Sequence, residues 1–514
     1  MTLAQQPPVV VGVAGDRPSE PRAGAARRRL MILATCCLSL FLVTMDLTIV
    51  NVALPSIRRD LHASVAGLQW SIDGYTVVVA SFLMLSGSMA DRFGRRRTFQ
   101  LGLSVFSLGS LLCSLATTTN ALVASRMLQA LGGSMLNPVA MSIIVNTFTD
   151  LRERARALGV WGAIFGVSMA GGPLLGGALV DSIGWRSIFW VNVPVGVLAL
   201  ALSARFIPES RADRPRRFDL LAQVLIIVGL LALTSAVIDG RRVGWSSWTI
   251  AAGFGAALAS VVALIAWESR RVEPLLDLRF FRSLPFSSAT VLALLSFAAF
   301  SGFLFLNSLY LQEARGFHAS TAGLMTLPIA LALVVCSPLS GRLVGAGHAR
   351  LAIVVAGGAI SCGALMLTGL ADDTPLPVLI IAYAIFGVGL GSIGAPVNTT
   401  AVSGMPRSQA GLAAAVASTS RQIGASLGVA LAGSIAGGGI EVAHRADLAQ
   451  STHPVFWVIV ACGVAVVVFG VISTGTRARA SAERVASLLG ASEIASAARA
   501  ASPPADRPSV ERTT

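Results

Sequence analysis

Long apolar runs dominate the chain, and short polar stretches separate them. A helix crosses the hydrocarbon core of a bilayer in about 20 residues. By that measure fourteen runs qualify: 30–54, 67–90, 98–118, 121–146, 155–180, 187–207, 219–238, 249–268, 286–311, 320–345, 350–370, 376–400, 410–436 and 454–474. The pattern predicts an all-α polytopic membrane protein with fourteen transmembrane helices. The runs 249–268 and 410–436 are rich in Ala and Gly and give the weakest signal. Arg27, Arg28 and Arg29 precede the first run, which is longer than the apolar core of a leader peptide and reads as a spanning helix.

Composition agrees with that pattern. Of 514 residues, 54% are hydrophobic and 12% charged, against about a quarter charged in soluble chains. The net charge is +14, and all 39 basic residues are arginine. Nucleic-acid binding would gather them on one soluble face; here they sit in short loops. With the N-terminus inside, thirty fall on cytoplasmic segments, seven on outer loops, and two, Arg126 and Arg421, within helices. That asymmetry predicts cytoplasmic N- and C-termini. The six cysteines form no CxxC pair and read as small packing residues. The five histidines fall in loops, so neither a metal site nor a histidine relay is expected. No G-x-x-x-x-G-K-[ST] loop and no H-E-x-x-H motif is present, which speaks against a nucleotide motor or an intramembrane metalloprotease. Residues 475–514 are too short and polar for a signalling domain, although part of them reads as a surface helix.

The densest charge cluster is Gly87-Ser-Met-Ala-Asp-Arg-Phe-Gly-Arg-Arg-Arg97, between the second and third runs. It resembles the loop signature G-x-L-A-D-R-x-G-R-K-x-x-L of the major facilitator superfamily. Gly87, Ala90, Asp91, Arg92, Gly94, Arg95 and Arg96 match, with Met89 and Phe99 at the leucine positions. Asp91 is expected to meet an arginine or a helix N-terminus.

Other helices carry candidate chemistry. Asp46 lies well inside the first run, where an ionised carboxylate must be paired, solvated or protonated. Two roles fit: a proton carrier, or a structural acid bonded to a neighbouring helix. Its surroundings, Met45 to Pro55, resemble the motif L-D-x-T-I-V-N-V-A-L-P of the 14-helix drug:proton antiporter branch, which favours the proton role. Asp73 is placed about a turn below the outer surface, where it relays protons, attracts cationic substrate or is simply solvated. Its setting, Trp70 to Tyr75, resembles the start of helix 2 in that branch. Arg126 resembles the arginine of R-x-x-Q-G-x-G-A, with Ala130 for the first glycine. Asp46 is its expected partner, either as a proton-sensitive switch or as a structural ion pair. Gly172, Pro173, Gly176 and Gly177 resemble the exporter signature G-P-x-x-G-G, with Ser168 where a glycine would precede it. The link Gly184 to Gly196 and the segment Arg421 to Gly428 also resemble that branch; by position alone Arg421 snorkels to the headgroups.

The resemblance implies two pseudo-symmetric six-helix bundles, 30–207 and 286–474. It also implies two inserted linker helices within 208–285, a disordered cytoplasmic arm at 1–29 and a cytoplasmic tail at 475–514. A faint echo of the Gly87–Gly94 loop at Gly341–His348 fits such halves. Substrate would bind between them. The expected activity is proton-coupled export of lipophilic drugs or antibiotics across the plasma (inner) membrane. It needs no cofactor beyond the proton gradient and no partner beyond the small substrate and the lipid bilayer, and it is carried out by a monomer. Export of one metabolite, lipid or amino acid is the alternative. No acid occurs in helices 10 or 13, which argues against dications. Phe297, Phe300, Phe303 and Phe305 either line an apolar pocket or face lipid.

Overall fold

The computed structural model describes residues 22–212, 219–271, 277–406, 409–441 and 445–501. Among them every regular element is a helix. In chain order these are α1 (Arg22–Leu61), α2 (Val65–Phe93), α3 (Arg95–Ser114), α4 (Thr119–Thr147), α5 (Leu151–Ser182), α6 (Ser187–Trp190) and α7 (Asn192–Phe206). They continue with α8 (Leu220–Val243), α9 (Trp248–Glu268), α10 (Leu284–Leu309), α11 (Ala319–Met325), α12 (Leu327–Gly345), α13 (Ala349–Leu365), α14 (Leu376–Val402), α15 (Ala410–Glu441), α16 (Arg445–Ser473) and α17 (Thr476–Ala501).

Each apolar run of the sequence coincides with helix, with differences that have local causes. Among the described residues, eleven helices are long and apolar enough to cross a membrane. The segments 98–118, 350–370 and 410–436 are not among these eleven. The arginines that open α3, the 17 residues of α13 and the Ala- and Gly-rich make-up of α15 account for it. By contrast 249–268, rated weak from its composition, qualifies as α9. The sixth run breaks into α6 and α7 because Pro194 has no N–H for the carbonyl of Trp190. The tenth breaks into α11 and α12 just before Pro328. The stretch read as an arm is partly helical, since α1 begins at Arg22; residues 1–21 lie outside the described residues, as does the tail beyond Ala501. The start of that tail is α17, whose Val485 and Leu489 pack with Phe280, Phe286 and Val416.

The helices pack in two groups. In the first, α1 lies against α4, α5 and α7, while α3 and α2 pack on α4. In the second, α10 packs on α15 and α16, α12 on α14, and α13 on α14 and α16. Helices α8 and α9 pair with each other, and α8 also reaches both α2 and α15. The groups meet through α2 with α15, through α5 with α11 and α12, and through α1 with α10.

Without a hydrophobic drive inside lipid, helices associate where small residues let backbones come close. The α10–α15 seam shows it: a Cβ at Gly424 would land on the Leu294 carbonyl, and one at Gly428 on the Ala298 carbonyl. Gly358, by contrast, faces open space. Gly424→Val is therefore expected to destabilise the purified protein by about 2 kcal/mol through overpacking. Gly358→Ala should leave it unchanged. Thermal unfolding followed by size-exclusion chromatography compares the two.

Candidate functional site

Asp46 sits midway along α1 and is fully buried. Its Oδ2 accepts a hydrogen bond from Arg126 Nη1 of α4 at 2.5 Å. Its Oδ1 accepts from Gln129 Nε2 at 2.9 Å and from Asn192 Nδ2 of α7 at 3.2 Å. Three donors converging on one carboxyl suit the ionised, acceptor-only form. The guanidinium is equally enclosed. Arg126 also donates to Gln129 Oε1 and to the Ser71 carbonyl of α2, and it lies 4.3 Å from the centre of the Tyr75 ring. Ser110 of α3 receives hydrogen bonds from Gln129 and Asn192 and donates to the Phe189 carbonyl. The network around this ion pair thus reaches six helices, α1, α2, α3, α4, α6 and α7.

The sequence pairs Asp46 with Arg126, and the structure brings them into contact. Gln129 and Asn192 were not singled out. Gln129 was nonetheless legible, because it stands three residues beyond Arg126 and so on the same helix face. Asn192 reaches the site only because the chain re-enters the bundle at the α6–α7 break.

Asp73 stands apart from this cluster. It lies about two turns into α2, fully buried, and neither carboxylate oxygen has a hydrogen-bond partner within normal geometry. The solvated role is not the one the structure shows. The hydroxyls of Thr76 and of Ser426 on α15 are the polar groups that face it. Ser426 in turn pairs with Thr234 of α8 at 3.3 Å. Asp73 therefore marks the junction of α2, α8 and α15.

The loop signature joins α2 to α3 and grips the chain that follows α7. Gly94 caps α2 with φ +109°, a conformation that side chains resist. Asp91 pairs with Arg95 at 3.2 Å. The Arg95 N–H donates to the Ser210 carbonyl, and the Ala212 N–H donates to the Asp91 carbonyl. The Arg96 N–H meets Glu209 at 3.2 Å, and its guanidinium bonds the Ala204 carbonyl. Arg92 is exposed beside them, and Gly87 has open space around it. Glu209 is the anchor that sequence reasoning missed.

The glycine signature lies on α5 between two neighbours. Cβ atoms at Gly172 and Gly176 would strike Thr48 and Ile49 of α1, and one at Gly177 the Ala319 carbonyl of α11. The Pro173 carbonyl fills the space where Gly323 of α11 lacks a side chain. Further polar contacts join the two helix groups at this same end, where α1 finishes. Arg58 pairs with Glu313 at 2.8 Å, Asp181 accepts from the Ala319 and Ser320 N–H groups, and Gln69 donates to the Ala430 carbonyl.

Below that closed end, α1, α5, α10 and α12 line a small, partly open cavity of about 20 Å³. Thr48, Pro173, Phe300, Leu304, Thr326 and Ile329 are in its wall, which is apolar apart from two hydroxyls. Asp46 is not in that wall; it lies inside the first helix group, with Thr48 two residues on at the lining. Of the four phenylalanines only Phe300 lines the cavity. Phe303 stacks with Tyr383, Phe386 and Phe456, and Phe305 is fully buried. Phe297 meets the Phe300 ring edge-on. Arg421 bonds Asn398 of α14 and leans over Phe297.

Comparison with known proteins places this geometry. The family model of the Major Facilitator Superfamily matches residues 36–429. The chain is 38% identical over 417 residues to the multidrug resistance protein Stp of Mycobacterium tuberculosis, covering 80% of this chain and 76% of that protein. It is 33% identical to the tetracenomycin C resistance and export protein of Streptomyces glaucescens, covering 81% and 78%. It is 32% identical to the methylenomycin A resistance protein of Streptomyces coelicolor, covering 82% and 89%. The fold resembles that of a bacterial homologue of the human lysosomal transporter Spinster, with a TM-score of 0.60 at 18% identity over 92% of this chain and 99% of that one.

Removing one partner of a buried ion pair strands the other charge and costs about 3–5 kcal/mol. Asp46→Asn and Arg126→Gln should each destabilise the protein to that order. The double variant should lose less than the two together, because neither charge is left alone. Unfolding of all four proteins in one detergent closes the cycle.

Proposed function

Because the chain belongs to the Major Facilitator Superfamily, within its multidrug and antibiotic efflux branch, we propose that it exports lipophilic drugs or antibiotics by proton-driven alternating access. On this reading it has fourteen spanning helices. Helices α1–α7 and α10–α16 form the two six-helix bundles of 30–207 and 286–474, and α8 and α9 fill the linker 208–285. The monomer lies in the plasma membrane with both termini in the cytoplasm, which makes the end joined by Arg58–Glu313 and Asp181–Ala319 the outer one. The arm 1–29 and the tail 475–514 are then cytoplasmic.

The observation that carries the proposal is the Asp46–Arg126 pair, an acid and a base held together away from water. A proton reaching Asp46 cancels its charge and frees Arg126 from its strongest partner. Helix α1 then loses its tie to α4. Because Thr48 and Ile49 of α1 lie against the α5 glycines, a shift of α1 reaches both the cavity wall and the α5–α11 seam. Proton entry is worth about 2.3 kcal/mol per 100 mV and about 1.4 kcal/mol per pH unit. That sustains a cargo gradient of some hundreds-fold. Asp73, buried at the second seam, is the candidate for a further proton or for holding α2 against α15. A mostly apolar cavity suits lipophilic cargo. A narrower cargo range is favoured by the relatives whose names carry single antibiotics.

In vesicles with an imposed proton gradient, Asp46→Asn is expected to abolish uphill drug transport while retaining exchange of labelled for unlabelled drug, which needs no net proton movement. Gradient-driven transport at the wild-type rate would exclude Asp46 as the proton carrier. A protonophore should reproduce the variant's defect in the wild type.

A further inference from the structure

Arg421 is a charged side chain inside a spanning helix, and it has no carboxylate partner among the described residues. Its guanidinium makes one hydrogen bond, 3.0 Å from Nη1 to Asn398 Oδ1. The group carries five N–H donors. A cation at membrane depth faces protein or water and finds a partner. Helices α10, α11, α12, α13 and α14 contain no aspartate or glutamate, and Asp73 of α2, the buried acid packed against α15, faces Ser426 rather than Arg421. In α15 the single acid is Glu441, at the far end of the helix.

The position of Arg421 relates it to the cavity. Its guanidinium carbon lies 5.9 Å from the centre of the Phe297 ring. Phe297 meets Phe300 edge-on, with centres 6.4 Å apart. Phe300 and Leu304 are in the cavity wall. Residues 297, 300 and 304 share one face of α10, so the cation stands one ring beyond the lining. Asn398, its partner on α14, is exposed, which leaves the site open on that side. Donors thus remain free at the edge of an apolar chamber.

From this we infer that Arg421, held by Asn398, is the recognition group for an anionic function on the cargo. The cargo class is then a lipophilic acid: an aromatic or alicyclic body against the apolar lining between the helix groups, bearing a carboxylate or an ionised enol. This refines, and rests on, the reading of the chain as an exporter of lipophilic compounds. Charge movement agrees with it. An anion leaving while a proton enters moves charge twice in the same sense, so an inside-negative potential drives both. A lipophilic cation would meet a like charge at Arg421.

The test reads binding without a gradient, so it can fail while proton-driven export stands, and hold while export fails. The full chain is placed in nanodiscs of zwitterionic lipid. It is titrated with pyrenebutanoate, with the methyl ester of that acid and with a pyrenebutyl trimethylammonium salt. Binding is read as energy transfer from tryptophan to pyrene. The wild type should bind the acid about tenfold or more tighter than the ester, with the cation weakest. Arg421→Gln should bring the acid down to the ester while the ester is unchanged, and Arg421→Lys should keep part of the preference. Equal binding of acid and ester by the wild type overturns the assignment. So does an Arg421→Gln protein that loses all three probes alike, since that marks a purely structural arginine. If Arg421→Gln does not fold, the wild-type series decides by itself.

Discussion

A charge held in oil must be answered, and the Asp46–Arg126 pair is that answer for the first helix group. Two ions taken out of water lose a hydration energy that their mutual attraction returns only if every remaining donor and acceptor is also matched. Here the matching is near complete. Gln129 and Asn192 take the second carboxylate oxygen, the Ser71 carbonyl and the Tyr75 ring take the guanidinium, and Ser110 closes the circle. Such a network fixes α1, α2, α3, α4 and α7 relative to each other. In the proposed mechanism this match of three donors to one carboxylate is what a proton on Asp46 would undo.

The glycines transmit what the pair holds. Inside lipid no hydrophobic force presses helices together, so contact distance decides how firmly one helix feels another. Along α5, Gly172 and Gly176 let α1 come within contact of the α5 backbone, and Gly177 does the same for α11 across the seam. A side chain at any of these positions would hold two helices apart. The glycine stripe therefore links the buried pair to the contact between the two groups.

Much of this was legible because membrane physics leaves strong marks. The length of apolar runs placed the helices, and the cost of a buried charge drew attention to Asp46 and Arg126. What escaped notice depended on three-dimensional closure. Asn192 arrives through a break that Pro194 makes in a run that reads as one helix. Glu209 looks like an ordinary loop acid until the Gly94 turn brings Arg96 against it. Asp73 reads as an acid near the surface, and its enclosure comes from α8 and α15, helices remote in sequence. Arg421 reads as a snorkelling residue by position along α15, while its partner Asn398 belongs to another helix. The Phe297–Phe305 cluster divides for the same reason. Helix rotation sends Phe300 to the cavity and Phe303 into the core, and spacing along α10 does not reveal which face is which.

The distribution of charge follows a single logic. The first helix group holds its acid already paired, and on the proposed reading it responds to a proton rather than to a charged cargo. The second group holds a cation whose described hydrogen bond is to Asn398, and on the proposed reading that cation meets an anionic cargo. In the proposed mechanism cargo and proton use separate groups, so coupling would pass through helix contacts. The close approaches of α1 to α5 and of α5 to α11 connect the Asp46 pair to the cavity lining and to the seam, and the proposed coupling would run through them. A loosely packed seam could not carry it, and the small residues at Gly172, Gly176 and Gly177 are the condition for a tight one.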